Sequence, residues 1–342
     1  MTPPQRPLTR RNFLELAGLG VAASALSACR PGNEAAIATT TPASPATSTP
    51  EPTATPLPGP KLVARFAHIS DMHIEEAGPS REHFSRAVRN ISLLDPPVEF
   101  VVNAGDCVMD VLFSNKDEAL AQWDRFLSVL PPDFPLPVYH AIGNHDVWGW
   151  GLPADEQAVV QSDPLYGKGM ILQKLGLSSR YYSFVHEGWR FFVLDSIHLA
   201  DQVFDHPYTG KLDDEQFDWL TGELEATDPA MHVCIISHVP IFGACGLLDS
   251  SEASGNWILP GPWQHIDARR IINLLWQHPN VKLCMSGHTH QLEDLRHHGI
   301  KYISDGAISG NWWKGAYYDF APGYMLVNLY DDGSSELEFI AY

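Results

Sequence analysis

Short apolar runs alternate with longer amphipathic stretches from residue 61 onward. Runs such as VEFVVNAG, at 98–105, and MHVCIIS, at 231–237, are rich in β-branched residues, which is typical of buried strands. The stretch DEALAQWDRFLSVL, at 117–130, repeats apolar residues every three or four positions and predicts an amphipathic helix. Because strands and helices follow each other in turn, with hairpins later, the pattern predicts an α/β sandwich with mixed sheets.

The same criteria assign an element to most of this region. Single strands are predicted at 61–70, 98–105, 137–143, 231–237 and 281–287. Helices are predicted near 80–94, 117–130, 212–226 and 265–278, the third with Asp213 or Asp214 as its N-cap. Two hairpins are predicted, one within 180–196 that turns at Glu187 and Gly188, and one within 323–342 that turns at Asp332 and Gly333.

Residues 1–29 form a segment that does not belong to the fold. The paired arginines Arg10 and Arg11 precede an apolar stretch, so the segment resembles a twin-arginine export signal. The sequence LSAC at 26–29 resembles a lipobox, in which Cys29 becomes the lipidated first residue. A plain signal peptide cleaved after Ala25 is the alternative. We therefore expect an exported, extracytoplasmic protein that is anchored to the cell envelope through lipid.

Residues 30–60 are rich in Pro, Thr and Ala and contain no aromatic residue. Such a composition cannot bury enough apolar area to offset the entropy of ordering, so it predicts an extended linker. The chain is thus expected to divide into a signal peptide with a lipobox at 1–29, a linker at 30–60 and one folded domain at 61–342.

The net charge of −19 disfavours nucleic-acid polymers and anionic membranes as partners, because like charges repel at long range. Contact with a membrane is expected only through lipid on Cys29, and the sequence gives no indication of oligomeric state. The domain contains Cys107, Cys234, Cys245 and Cys284 but no C-x-x-C motif, so neither a zinc ribbon nor a redox pair is predicted. Three of these cysteines are expected to pack as small buried hydrophobes.

Five apolar runs end in side chains that commonly bind metal ions. In chain order these are Asp71 and His73 in SDMH, Asp106 in GD, Asn144 and His145 in GNHD, His238 in SH, and His288 and His290 in GHTH. Sites in α/β folds form in the loops beyond the carboxyl ends of the strands. Residues at i and i+2 point the same way in an extended chain, so each D-x-H and H-x-H pair is expected to converge on one point.

Two Asp, one Asn and four His among these residues supply oxygen and imidazole donors without any thiolate. Such donors suit Mn, Fe, Zn or Co and do not distinguish among them. They are too many for one tetrahedral ion and fit two divalent ions that share a bridging ligand. Each motif alone is weak, but their ordered occurrence after five strands predicts a dinuclear metal site.

The ordered set D-x-H, G-D, G-N-H-D, H and G-H-x-H resembles the calcineurin-like metallophosphoesterase family over residues 61–342. The resemblance implies a four-layer αββα sandwich with two mixed β-sheets and a two-metal site at the carboxyl ends of the strands. It implies that Asp71, His73 and His290 hold the first metal, and that Asn144, His238 and His288 hold the second. Asp106 would bridge both metals together with a water or hydroxide, and His145 would not be a ligand.

The implied activity is hydrolysis of small phosphate esters by in-line attack of that hydroxide on phosphorus. His145 would assist the leaving group, with either Asp146 or Asp110 as its carboxylate partner. Phosphodiesters are the expected substrates. SGNWWKGAYY at 309–318 resembles a segment of bacterial relatives, some of them grouped with cyclic-nucleotide phosphodiesterases, and that broad grouping does not name a substrate. The alternatives are a phosphomonoesterase, a hydrolase of envelope lipid or polymer headgroups, and, least favoured, an inactive binding protein.

Aromatic residues cluster near the same strand ends. They are Trp148, Trp150, Trp257, Trp263, Trp312, Trp313, Tyr317 and Tyr318. Some of these rings can stack on a substrate, but packing beneath long loops is the expected role of most. Lys314 is a candidate for contact with phosphate, and the loop that carries His206 is expected to reach the site. The Gly, Ser and Pro-rich segment 239–262 is expected to cover the site as a loop.

Overall fold

A computed structural model describes residues 59–342 except 132, 201–205, 249–250 and 254, and it leaves out the side chains of 251–253. The expected export signal, Cys29 and nearly all of the linker lie outside the described residues. Within the described part of the chain, no helix combines the length and apolarity needed to cross a bilayer.

The first sheet contains three parallel strands and two antiparallel ones. Its spatial order is β15-β14-β1-β2-β3. The strands are β1 (Leu62–Ile69), β2 (Phe100–Asn103), β3 (Val138–His140), β14 (Gly323–Tyr330) and β15 (Ser335–Ala341). The first three pair in parallel, whereas β14 pairs antiparallel with both β1 and β15. The carboxyl ends of β1, β2 and β3 therefore meet at one edge of the sheet.

The second sheet has the spatial order β12-β13-β11-β8-β5-β4. Its strands are β4 (Tyr182–His186), β5 (Trp189–Val193), β8 (His232–Ile236), β11 (Val281–Ser286), β12 (Leu292–His297) and β13 (Ile300–Asp305). Four neighbours, β5, β8, β11 and β13, pair in parallel, and a hairpin strand closes each edge. The sheet is therefore mixed, like the first.

Helices cover the outer face of each sheet. They are α1 (Ser80–Ser92), α2 (Lys116–Leu127), α3 (Ala154–Val160), α4 (Gly169–Leu175), α5 (Asp214–Ala226) and α6 (Ala268–Trp276). Apolar residues of α1 and α2 pack on the first sheet, and those of α5 and α6 pack on the second. Three separate apolar cores result, so the chain forms the predicted four-layer αββα sandwich.

Alternation along single strands shows why three cores form. Phe66 on β1 belongs to the core between the sheets, whereas its neighbour Ala67 packs under the helices. Phe191 on β5 faces the central core, and Phe192 faces the second helical layer. Strands that are buried on both faces are apolar at successive positions, which explains the continuous apolar runs in the sequence.

Element boundaries differ from the prediction by a few residues at capped ends. The helix predicted from 117 begins at Lys116, because the Asn115 side chain accepts hydrogen bonds from the N–H groups of Asp117 and Glu118. The helix predicted to reach 94 ends at Ser92, and the one predicted to reach 130 ends at Leu127.

Asp213, not Asp214, caps α5 by accepting a hydrogen bond from the Gln216 N–H. The sequence patterns missed α3, α4, the β12–β13 hairpin and two short ribbons. The ribbons are β6 (Ile197–Leu199) with β7 (Tyr208–Gly210) and β9 (Ser251–Ala253) with β10 (Asn256–Ile258).

Candidate metal centre

Five strands of the two sheets deliver the predicted side chains. Asp71 and His73 follow β1, Asp106 follows β2, Asn144 and His145 follow β3, His238 follows β8, and His288 and His290 follow β11. All five strands run parallel to a neighbour, so their carboxyl ends lie at one end of the sandwich. Aside from the partly exposed His145, these side chains are buried.

The expected extended geometry of the D-x-H and H-x-H pairs is wrong. Five of these residues adopt left-handed backbone conformations, with φ of 57° at Asp71, 44° at His73, 54° at Asp106, 70° at His288 and 56° at His290. Such conformations cost non-glycine residues about 1–3 kcal/mol each and concentrate at functional sites. The side chains converge because the backbone coils back after each strand.

Backbone hydrogen bonds between loops hold these conformations. The Asp71 N–H donates to Gly105 O over 3.0 Å, and the His73 N–H donates to Asp106 O over 3.1 Å. Gly143 packs so tightly that a Cβ there would lie 2.2 Å from Asp106 N. Only glycine allows this approach, which explains the glycine before Asn144 in the GNHD motif.

The first group of donor atoms comes from Asp71, His73 and His290. The Nε2 atoms of His73 and His290 are 3.0 Å apart, and Asp71 Oδ1 lies 3.3 Å from His290 Nε2. His290 Nδ1 lies 2.5 Å from Gly310 O, and His73 Nδ1 lies 3.3 Å from Met109 O. Since each Nδ1 faces a carbonyl and must donate, each Nε2 presents a lone pair inward.

The second group comes from Asp106, Asn144, His238 and His288. His238 Nδ1 donates to Ala104 O over 2.8 Å, and its Nε2 lies 3.1 Å from Asn144 Oδ1 and 3.3 Å from Asp106 Oδ2. Within the described residues, His288 Nε2 is buried and has no hydrogen-bond partner. Burial, together with nearby His238, lowers the pKa of His288 to about 3, so its imidazole is neutral.

Asp106 lies between the two groups. Its Oδ2 is 3.7 Å from His73 Nε2 and 3.3 Å from His238 Nε2. Burial raises the pKa of Asp106, but the imidazoles of His238 and His145 outweigh burial and hold it well below its usual range. An ionised carboxylate in this position suits a ligand shared by two cations.

The donor set fits two divalent ions. Lone pairs of imidazoles and carboxylates face one another at 3.0–3.8 Å. Acceptors that face acceptors in a buried site require a cation between them. Asp71 Oδ1, which is also buried without a hydrogen-bond partner among the described residues, needs the same compensation. Burial raises the pKa of Asp71, but His290 outweighs it and lowers that pKa to about 2.

His145 lies beside the donor groups with a quarter of its side chain exposed. Its Nδ1 is 3.6 Å from Asp110 Oδ1, which makes Asp110 its carboxylate neighbour. Asp146, the other predicted partner, instead accepts hydrogen bonds from the N–H groups of Asp106, Cys107 and Gly143. Asp146 therefore braces two site loops and is not positioned to orient His145.

A cavity of about 100 Å³ opens above the centre. Its lining comprises Asp106, Asn144, His145, His206, Tyr208, Pro262, Trp263, His288, Thr289, His290, Trp312 and Tyr317. Among the described residues, no Lys or Arg lines it. His206 reaches the cavity as predicted, and Pro262 belongs to the segment 239–262 that was expected to cover the site, whereas Tyr208 and Thr289 were missed. Thr289 lies inside the GHTH motif, and Tyr208 lies two positions after His206. Their nearness in sequence to recognised site residues is the signal that could have predicted them as lining residues.

The aromatic residues fall into two groups. Trp312 lies against His290 with ring centroids 4.4 Å apart and ring planes tilted by 32°, and Trp263 tilts over His288 at 5.8 Å. Trp148 is fully buried, and its Nε1–H donates to Ser114 O, so it packs beneath the loops. Trp150 and Trp313 also pack against the first helical core.

Three other predictions near the rim have different outcomes. Trp257 is 66% exposed and Tyr318 is 49% exposed, and neither lines the cavity. Lys314, the candidate for contact with phosphate, is exposed and lies outside the cavity lining. The segment 239–262 contains a 3₁₀ turn, Cys245–Leu247, and the β9–β10 ribbon, and its last residue, Pro262, borders the cavity.

The fold and the centre define the class of protein as a metal-dependent hydrolase. The sequence profile described as calcineurin-like phosphoesterase matches residues 64–292. The chain therefore belongs to the calcineurin-like phosphoesterase family and is a metal-dependent phosphoric ester hydrolase with a dinuclear divalent metal site. The resemblance noted from the ordered motifs is confirmed.

Two curated relatives are phosphodiesterases. The chain is 23% identical over 295 residues to the 3',5'-cyclic-nucleotide phosphodiesterase alr5338 of Nostoc sp., which covers 82% of this chain and 94% of that protein. It is 28% identical over 229 residues to the 3',5'-cyclic adenosine monophosphate phosphodiesterase CpdA of Escherichia coli K12, which covers 65% and 70%. A dimetal phosphatase from Danio rerio shares the fold, with a TM-score of 0.56, 17% identity and coverage of 82% and 100%.

Proposed function

We propose that this enzyme hydrolyses small phosphodiesters that carry a planar ring, with nucleoside 3',5'-cyclic phosphates as the favoured substrates. The observation that carries the proposal is the cavity above the metal centre. Four aromatic rings line it, those of Tyr208, Trp263, Trp312 and Tyr317. Stacking of a base on an aromatic side chain contributes about 1–3 kcal/mol. The cavity therefore suits a substrate with a flat group beside its phosphate.

The charge of the cavity favours a diester over a monoester. A monoester dianion carries one more negative charge than a diester, and Arg or Lys usually meets the additional charge. Only imidazoles supply potential cations among the described lining residues. The names of the two curated relatives support the same substrate class.

The donor residues form two ligand sets, one for each ion. Asp71, His73 and His290 would hold one, and Asn144, His238 and His288 the other, with Asp106 shared between them. When bound, the two ions supply Lewis acidity for the phosphoryl oxygens and a nucleophile at neutral pH. The carbonyl oxygens of Ala104 and Gly310 orient the inward-facing imidazoles of His238 and His290.

His145 is the proposed proton donor to the leaving oxygen. Its exposed edge faces the cavity, and it contacts His73 edge to face with ring centroids 4.8 Å apart. Burial lowers the pKa of His145, but Asp106 and Asp110 outweigh burial and raise it to about 9. Bound cations oppose that rise, which brings the proton closer to transfer at neutral pH.

The test compares four substrates with the purified protein: bis-p-nitrophenyl phosphate, p-nitrophenyl phosphate, cyclic AMP and cyclic GMP. Mn²⁺-loaded enzyme is expected to cleave the diesters with a kcat/KM at least about tenfold above that for the monoester. Chelator should abolish activity, and added Mn²⁺ should restore it. Higher kcat/KM for p-nitrophenyl phosphate would replace the proposal with the phosphomonoesterase alternative.

A second candidate, hydrolysis of envelope lipid headgroups, is favoured by one observation. Leu248, Trp257 and Ile258 are exposed apolar residues of the segment that ends at the cavity. A lipid-linked diester would use such a surface for its acyl chains. Activity on lipid vesicles together with failure on cyclic nucleotides would favour this candidate. Two bound ions without turnover of either class would favour an inactive binding protein.

We also propose that the domain works outside the cytoplasm, held by lipid on Cys29 and the linker at 30–60. The support is the arrangement of Arg10, Arg11 and the LSAC sequence. Metabolic labelling with palmitate should mark the wild-type chain and fail on Cys29→Ser. Labelling of neither chain together with cleavage after Ala25 would favour the plain signal peptide.

A further inference from the structure

An array of Ser237, His265 and Asp267 lies next to the metal centre and has no part in the proposed chemistry. Ser237 Oγ is 3.1 Å from His265 Nε2, and His265 Nδ1 is 3.0 Å from Asp267 Oδ1. Ser237 directly precedes the predicted metal ligand His238. Ser237 and His265 are almost completely buried, with 1% and 3% of their surface exposed.

The order of these groups is that of a hydrolase triad, but the hydroxyl cannot act as a nucleophile here. Ser237 Oγ also lies 2.8 Å from Val239 O, so both of its hydrogen-bond partners belong to the protein interior. No substrate can reach a hydroxyl that has 1% exposure without opening the fold. The array must therefore have a structural role, in which it holds neighbouring elements in place.

The array ties together the elements that carry one aromatic wall of the cavity. We call residues 260–267 the Trp263 segment. Its Gly261 O accepts the Gly210 N–H over 3.1 Å, and its Ile266 N–H donates to Gly210 O over 2.8 Å, so it clasps the end of β7. Asp267 Oδ2 accepts the N–H of Leu212, just beyond β7. His265 N–H donates to Pro240 O, next to the His238 loop.

The two aromatic residues carried by these elements both approach one metal-site imidazole. Tyr208, on β7, lies 6.4 Å from His288 between ring centroids, and Trp263 lies 5.8 Å from it. His265 is the central group of the array, because one nitrogen meets Ser237 in the metal-site strand and the other meets Asp267 in the wall.

The geometry points to His265 as a positioning residue for substrate binding: through Ser237 and Asp267 it fixes the wall of Tyr208 and Trp263 over the metal centre. This inference rests on the proposed function in that the wall is taken to contact the ring of a diester substrate. It predicts that loss of the array weakens substrate binding through Trp263 and leaves metal binding unchanged.

The test is a double-mutant cycle between His265→Gln and Trp263→Ala, measured on bis-p-nitrophenyl phosphate with the full-length, metal-loaded enzyme. His265→Gln alone should raise KM about tenfold, which corresponds to about 1.4 kcal/mol of lost ring contact, with kcat changed less than about twofold. In the Trp263→Ala background, His265→Gln should raise KM by a smaller factor than in the wild type, because one of the two wall residues that it positions is gone and only Tyr208 remains. His298→Asn, at the exposed turn of the β12–β13 hairpin, is the control and should leave KM unchanged.

Three results would overturn the inference. Additive effects in the cycle would show that His265 does not act through Trp263, and loss of a metal ion in His265→Gln would place the array in metal binding. Labelling of Ser237 by a fluorophosphonate would show an accessible nucleophile. Should His265→Gln fail to fold, Asp267→Asn repeats the cycle, since it keeps an acceptor for Leu212. Wild-type enzyme that cleaves bis-p-nitrophenyl phosphate but no nucleotide would refute the proposed substrate and leave the cycle interpretable.

Discussion

The two sheets contribute different chemistry to one metal centre. Loops of the first sheet supply every carboxylate of the donor set, Asp71 and Asp106, together with His73 and the Asn144 amide. Loops of the second sheet supply only imidazoles, those of His238, His288 and His290. The negative charge that holds two cations is therefore concentrated on one side of the sandwich. We infer that removing a carboxylate donor of the first sheet lowers metal binding and activity more than removing an imidazole donor of the second.

The two halves are also braced differently. Within the first sheet, the Asp146 carboxylate accepts three backbone N–H groups of the site loops. In the second, His238 relies on Ala104 O, which belongs to the loop after β2 of the first sheet. A direct link between the sheets comes from His68 on β1 and Asp305 on β13, whose Nδ1 and Oδ2 atoms are 2.6 Å apart and buried.

The largest expected effect comes from comparing Asp106→Asn with His238→Ala. Asp106→Asn removes the charge shared by both donor groups, so we expect loss of both ions and a fall in kcat/KM of at least ~1,000-fold. His238→Ala should retain one ion, because the Asp71 group remains complete. Metal content by elemental analysis and initial rates measure both effects. Equal loss of metal in the two variants would contradict the asymmetry of charge between the sheets.

His145→Ala separates proton donation from metal binding within the first sheet. Because His145 is not expected to be a ligand, the variant should keep both ions while turnover falls about 10²–10⁴-fold. Metal analysis and steady-state kinetics on a diester check this. An ion lost together with the activity would assign His145 to the donor set.

Asp146→Asn tests the bracing of the first sheet. An amide cannot accept all three N–H bonds, so the loops of Asp106 and Asn144 should relax and metal affinity should fall about 10–100-fold. Competition with a fluorescent chelator measures the affinity. Asp155→Asn, at an exposed position of α3, is the matched control. An equal fall in metal affinity in this control would show that the three hydrogen bonds to Asp146 are not the cause.

The smallest effect on activity is expected for the link between the sheets. Asp305→Asn keeps an acceptor but loses the charge that faces His68, so the free energy of unfolding should fall by about 1–3 kcal/mol. Urea denaturation measures this change, and kcat should stay within about twofold of wild type. A large loss of bound metal would mean that the link also sets the distance between the two donor groups.

The candidate site was more predictable than the geometry that forms it. Seven of the eight side chains named from the motifs lie in overlapping groups of possible metal donors, and the eighth, Asn144, contacts His238. They come together because the motifs follow strands whose direction the alternation of strand and helix implies. The extended backbone expected for Asp71 and His73 is wrong, since the loops coil into positive φ values. That conformation depends on hydrogen bonds to Gly105 and Asp106, which lie more than 30 residues away in sequence.

The sequence by itself determined the α/β class of fold with mixed sheets and the order of the candidate donor residues, since periodicity and motif spacing are local properties. The four layers were implied by the family resemblance. Only the tertiary structure decided which carboxylate faces His145. Asp110 and Asp146 offer the same chemical group, and the folding of their loops places Asp110 beside the imidazole and turns Asp146 toward backbone N–H groups. The same holds for the aromatic wall. Trp148 and Trp263 both follow the end of a strand that carries site residues, yet Trp148 packs in the core and Trp263 lines the cavity. Contacts between distant segments set that difference, and no local pattern encodes them.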